Sequence, residues 1–281
     1  MKKSILSAFI ISAVFIGCSG DEEVQNPSDP TSETTIIEIE DTPSAKAEDD
    51  NKSSGVYKGT FVGSTGTFKL TLEKDNIKGV LVVDGVGHNL TTSDISNDDL
   101  GSAISNAVFI NESGNINLVF SVDADGKNPS VQLTITGHAD IKVVVSKEKS
   151  TGVVKIYEGF KYNAYPDDGK QCVQNLNIQL RPDNTASVTL RSDLTIDLKN
   201  GNSGPECDYE AWLDNDYNWE VTNNSIRVYI RALEDSASNS WIEDDILFGT
   251  GVFSDSEIYA KEKFTSGGKT YFDSLRLRRK L

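Results

Sequence analysis

Trp212, Trp219 and Trp241 fall within 30 residues of one another and are the only tryptophans in the chain. Tyr209 and Tyr217 stand beside them, interleaved with Asp208, Asp214, Asn215, Asp216 and Asn218. An aromatic ring offers a flat apolar face, and carboxylates and amides offer hydrogen bonds around it. Together these groups can stack a sugar ring and hold its hydroxyls. Trp212, Trp241, Tyr209 and Tyr217 are therefore the candidate ligand-binding residues. The rival reading puts Trp219 and one other indole in a core and leaves the third as a loop plug. Trp219 alternates with Val221 as in a strand and is expected in the core. Asp214–Asn218 also carries oxygen ligands of the calcium type.

Other reactive residue types lack a supporting pattern. A glycosidase needs two carboxylates at a set separation across a cleft. Acidic residues here are spread through the chain, and only Cys207–Glu220 concentrates them with aromatics. His88 and His138, the two histidines, have no nucleophile context or metal spacing and read as packed or surface residues. Asp123-Ala-Asp-Gly-Lys-Asn128 has calcium-type oxygens but not the EF-hand spacing, and Asp-Gly is a strong hairpin signal, so it reads as a turn. No catalytic, cofactor or metal motif is found, and the chain is expected to be non-enzymatic.

Cysteine chemistry begins at the N-terminus. Lys2 and Lys3 precede an apolar run, Ile5 to Ile16, that is too short to span a bilayer and reads as a secretory signal. Phe15-Ile16-Gly17-Cys18 resembles a bacterial lipobox, in which a small residue precedes a cysteine whose thiol takes a diacylglycerol. The resemblance implies a signal peptide over 1–17, cleavage before Cys18 and acylation there, with a palmitate-type chain. Each buried methylene contributes roughly 0.8 kcal/mol of membrane affinity, so several chains make a durable anchor. Ser19-Gly20-Asp21-Glu22-Glu23 resembles the acidic export signal of bacteroidete-type lipoproteins. It implies a lipid anchor in the outer membrane, exposed at the cell surface. The remaining cysteines, Cys172 and Cys207, are an even pair in an exported chain, which predicts a disulfide; two separate buried thiols are the alternative. With no CxxC spacing and two histidines, a structural zinc site is not expected.

The formal charge of the 281 residues is −16, and loss of Lys2 and Lys3 with the signal takes it to −18. Repulsion excludes nucleic acid and anionic lipid surfaces as partners. Residues 18–53 hold eleven carboxylates against Lys46 and Lys52, three prolines and no aromatic residue. Such a segment is expected to be a disordered, extended tether behind the acylated cysteine.

Beyond it, short alternating runs broken by Gly, Asn and Asp predict an all-β chain in two units, 54–147 and 151–281. The first unit is expected to hold eight strands: 55–61, 67–73, 77–84, 88–92, 107–111, 116–122, 131–137 and 141–146. Ser93–Asn106 is expected to form a short amphipathic helix between them. The second unit opens at Val153–Ala164, and Ile156-Tyr-Glu-Gly-Phe160 resembles Val56-Tyr-Lys-Gly-Thr-Phe61, a weak internal repeat. Strands are then expected at 173–180, 186–190, 194–198, 217–221, 226–230, 245–253, 257–264 and 270–278. The stretches Trp219–Ile226, Gly251–Ile258 and Lys269–Leu277 are similar to lipocalin-like domains of bacteroidete surface lipoproteins. That resemblance implies antiparallel meander barrels or half-barrels, with no catalytic residues. The expected function is binding of an extracellular ligand, a glycan first. A lipocalin-like carrier of an apolar small molecule and a structural or adhesion protein are the alternatives. Small or polar inward positions would favour a cavity, and large apolar ones a filled core.

Overall fold

The computed structural model describes residues 36–165, 170–197, 203–204, 212–222, 225–231, 243–245, 250–266 and 269–281. The chain is all-β. The first eight strands are β1 (Gly55–Val62), β2 (Gly66–Glu73), β3 (Asn76–Val83), β4 (Val86–Leu90), β5 (Ile104–Ile110), β6 (Ile116–Val122), β7 (Ser130–Ile135) and β8 (Lys142–Lys147). Each overlaps a run where alternation predicted a strand, with β5 beginning three residues early. The turns are made by residues that tolerate left-handed backbone: Asp84 and Gly85, at φ of 50° and 80°, form the β3–β4 hairpin.

These strands follow one another as an antiparallel meander. One sheet has the order β4-β3-β2-β1-β8, and β5-β6-β7 form another. The two meet through mutual backbone hydrogen bonds between Thr91 and Ile110, each 2.9 Å. No continuous ladder closes the circuit, so the unit is an open half-barrel. Its interior is filled by large apolar side chains, among them Tyr57, Phe61, Phe68, Leu81, Phe109, Leu118 and Phe120. Tyr57 packs edge-on against Phe120 at 4.8 Å between ring centroids. The Phe68 ring lies so close to Gly59 that a Cβ there would sit 2.2 Å from it.

The helix expected over 93–106 is absent. Residues 93–103 form turns, and β5 begins at Ile104. Local side chains compete for the backbone donors: Asp99 Oδ2 accepts from Ser96 N at 2.8 Å, and Asp94 Oδ2 accepts from Val108 N at 2.9 Å. Gly101 adopts a φ of 95°, outside the helical region. Ile95 and Ile104 are still buried in the first core.

The second half contains β9 (Lys155–Tyr165), β10 (Lys170–Leu180), β11 (Thr185–Asp197), β12 (Ser203–Gly204), β13 (Trp212–Thr222), β14 (Ser225–Arg231), β15 (Glu243–Asp245), β16 (Thr250–Phe253), β17 (Glu257–Ser266) and β18 (Lys269–Arg279). They form one sheet in the order β15-β14-β13-β11-β10-β9-β18-β17-β16, with β12 on β11. The strands expected at 186–190 and 194–198 are a single strand. The β10–β11 register shifts between Val173–Leu194 and Gln174–Ser192, leaving Asp193 as an extra residue that absorbs the break in pattern. The strand expected at 245–253 is two, β15 and β16. Asp214–Asn218 lies within β13 and is not a loop. Tyr157, Leu176, Ile178, Leu180, Val188, Ile258 and Leu277 form the second core, and Trp219 and Phe253 pack partly buried against it.

The two halves share a plan. β1 pairs with β2 and with β8, and β9 pairs with β10 and with β18. In each half the opening strand thus joins its successor to the final strand. Tyr57 and Tyr157 are both fully buried, one in each core.

Residues 34–281 nevertheless make one compact unit. The outer face of β1 and β8 lies on the face of β10 and β11 opposite the second core. That layer is polar. Asn177 Nδ2 donates to Phe61 O and Thr60 Oγ1, at 2.8 and 2.9 Å, and Gln179 Nε2 donates to Lys58 O at 2.8 Å. Ser146 donates to Gln179 Oε1 at 2.8 Å.

The expectation of a disordered tether is corrected over residues 36–53, which pack along the body as a strap. Ile37 joins a small apolar cluster with Val154, Ile156 and Leu281. Glu40 pairs with Lys58 and Lys69, and Asp41 pairs with Arg279 at 2.8 Å. Ala47–Asp49 make a single 3-10 turn, and Asp50 accepts from both the backbone and the hydroxyl of Ser150. Acidity implied extension only while the carboxylates lacked partners. The fold supplies lysine, arginine and backbone donors from both halves of the chain.

Candidate functional site

Alternation along β9 puts Glu158, Phe160 and Tyr162 on the face opposite the second core. Near Glu158 this face is covered by the first half of the chain; further along, it emerges. Phe160 and Tyr162 are 41% and 37% exposed, with ring centroids 6.4 Å apart and planes inclined at 48°. The neighbouring strand β18 pairs Arg276 with Phe160 and Arg278 with Glu158, which places those residues on the same face. Thr65, in the β1–β2 turn, and Lys280 complete a groove of about 320 Å³.

The electrostatics of this groove are uneven. Arg276 is held by Glu257. Arg278 and Lys280 have no ion-pair partner among the described residues. Glu158 is 5% exposed, and its Oε1 lies 3.2 Å from the Thr60 hydroxyl. Burial pushes its carboxyl up to about 7, against the opposing effects of Lys280's charge and of Thr60. Behind the groove, Asn175 Nδ2 donates to Thr65 Oγ1 at 2.8 Å, while the buried Oδ1 atoms of Asn175 and Asn177 have no partner among the described residues. Two accessible ring faces, a fork of cationic donors and a shielded acid are thus brought to one surface. They can stack an apolar ring face and hydrogen-bond polar groups at its edge.

The sequence-derived candidates are distributed differently. The backbone of Trp212 and Tyr217 lies in β13, and that of Cys172 in β10 opposite Asn163 and Thr195. The side chains of these three, together with Tyr209, Trp241, Cys207 and Cys18, lie outside the described residues. Trp219 is half-buried, and its indole N–H donates to Arg181 O at 2.9 Å. Asp123–Asn128 is a turn: Gly126 N donates to Asp123 O at 2.9 Å, Asn128 Nδ2 to Asp123 Oδ2 at 2.7 Å, and Lys127 pairs with Asp125. His138 Nε2 lies 3.9 Å from Asp84, and His88 sits in β4. Among the described residues, no group of three or more His, Cys, Asp or Glu is placed to hold a metal ion.

Sequence reasoning missed Phe160 and Tyr162. A signal was present, because Ile156-Tyr-Glu-Gly-Phe-Lys-Tyr162 carries large rings on both faces of one strand. One face must then be covered by something other than the strand's own core.

A second groove, of about 370 Å³, runs between the strap and the outer face of β2 and β3. Glu38, Glu40 and Glu73 line it with Lys69 and Lys78, and Glu40 is already committed to the lysines.

No protein-family model, curated protein or solved structure matches this chain.

Proposed function

We propose that this is a non-enzymatic, lipid-anchored protein of the outer cell surface that binds an extracellular glycan in the groove between β9 and β18. The observation that carries the reading is the exposed pair Phe160 and Tyr162, set among hydrogen-bonding side chains in a concave site. Sugars present alternating apolar faces and polar rims, and the groove offers the complement of both. The lipocalin-like carrier is less well supported, since a carrier needs an internal void and the first half-barrel is filled by Phe61, Phe68, Phe109 and Phe120. The anchor rests on the apolar run ending at Gly17-Cys18.

The test is calorimetric titration of the soluble form, from residue 19 onward, with neutral and acidic oligosaccharides. Binding that Phe160→Ala and Tyr162→Ala each weaken supports the reading. No binding across the panel, or binding indifferent to both substitutions, overturns it. For the anchor, Cys18→Ala is expected to move the full-length protein from the detergent phase to the aqueous phase. Persistence in detergent would sink the lipoprotein assignment.

A further inference from the structure

Within the glycan reading, on which this step rests, we infer that the groove selects acidic sugars and takes the ligand carboxylate on Arg278 and Lys280. The observation is one of contrast. The chain carries a net −16, yet its final strand and the residue after it read Arg276-Leu-Arg-Arg-Lys280. Alternation and chain direction send three of those cations, Arg276, Arg278 and Lys280, to the groove, while Arg279 turns to the strap and Asp41. Elsewhere Lys58 is matched by Glu40 and Glu148, Lys69 by Glu40 and Lys155 by Asp255. Arg278 and Lys280, without an ion-pair partner among the described residues, stand beside exposed rings.

The donors have different characters. Arg276 is oriented by Glu257, so its charge is partly answered. Arg278 offers a planar fork suited to a carboxylate, and Lys280 a point charge beside it. Glu158, the one carboxyl lining the groove among the described residues, is shielded, and its burial favours the uncharged form, so it opposes an incoming anion less than an exposed glutamate would. A ring stacked on Phe160 would carry its carboxylate toward the paired strand, where Arg276 and Arg278 lie. Phosphate alone would satisfy the cations but not the rings. The two aromatic faces therefore favour an acidic sugar over a bare anion.

The experiment compares three probes on the soluble protein: tetragalacturonate, its fully methyl-esterified form and inorganic tripolyphosphate. The acid is expected to bind at least about tenfold tighter than the ester, as one charge-assisted hydrogen bond implies. In the Arg278→Gln, Lys280→Gln double variant that gap should close to about twofold. Both sites are exposed, and an unchanged melting temperature shows that the variant folds. Phe160→Ala should weaken acid and ester alike. Equal affinity for acid and ester overturns the charge selectivity while leaving the glycan reading intact. Absence of binding by both overturns both. Tripolyphosphate binding as tightly as the tetrasaccharide, with Phe160→Ala silent, marks an anion site without sugar recognition and also overturns the inference.

Discussion

Lys58 and Glu148 are 90 residues apart and form an ion pair in which both side chains are fully shielded from solvent. Lys58 comes from the outer face of β1, and Glu148 follows β8. Glu148 also accepts from Ser44 N at 2.8 Å and from Val154 N at 3.1 Å. One carboxylate therefore ties the strap, the first half-barrel and the entry to β9 together. Isolating either charge in this layer would be costly, because desolvation is not offset without the partner.

Lys58→Met is expected to destabilise the protein by about 3–5 kcal/mol, the range for breaking a buried pair from one side. Adding Glu148→Gln should recover part of that loss, because it removes the stranded charge. Urea denaturation of the two variants checks both statements. A double variant no more stable than Lys58→Met would show that the pair is not the unit of stabilisation.

The strap should respond to acid. Burial would raise the Glu40 carboxyl, but hydrogen bonds from Lys69, Ser44 and Lys58 outweigh it and hold the group at about 2, below its ordinary 4.5. A carboxyl depressed in the folded state stabilises above its unfolded value and loses that contribution as pH falls. Protection of the amides over residues 37–50, taken relative to intrinsic exchange at each pH, should therefore fall between pH 4.5 and about 2, before that of β1 and β2. Simultaneous exchange of strap and strands would show that the strap has no transition of its own.

Glu158 should act in the opposite sense. Its carboxyl titrates at about 7 when folded and at 4.5 ordinarily, so between those values the folded chain holds the extra proton. Stability then falls as pH rises through this window, by on the order of 3 kcal/mol at most, and levels off above it. Glu158→Gln removes the dependence. The variant should gain on the parent between about pH 4.5 and pH 7.5, read as urea midpoints. A pH-independent difference would locate the effect elsewhere.

Cys172 and Cys207 are expected to resist alkylation until the folded protein is reduced. Closing their loop contributes roughly 4 kcal/mol in the chain-entropy model, so reduction should lower the melting temperature by several degrees. Two thiols titrating in the unreduced native protein would rule the bridge out.

The strands of the first half were legible because each carries its own pattern. Phe68, Leu70 and Leu72 alternate with half-exposed positions, and Asp84-Gly85 has the turn chemistry the hairpin needs. These are local signals, and the fold respects them. The run at 93–106 failed as a helix because apolar spacing was weighed without the side-chain competition from Asp94 and Asp99.

What the amino-acid order determined by itself was the all-β character, most strand boundaries and which face of each strand is apolar. Alternation and turn residues act over a few positions and need no partner to be read. Only the tertiary structure decided what the polar faces meet. Asn175, Asn177 and Gln179 alternate with Leu176, Ile178 and Leu180 as a solvent-facing edge would, yet all three are buried against β1 and its turn. The carboxylates of the strap read as repelling one another until Lys58, Lys69 and Arg279 arrive from distant strands. The groove at Phe160 and Tyr162 has the same origin. Hydrogen bonds and ion pairs between residues about a hundred positions apart leave no periodic trace in the chain, and they alone set where the second sheet is covered and where it stands open.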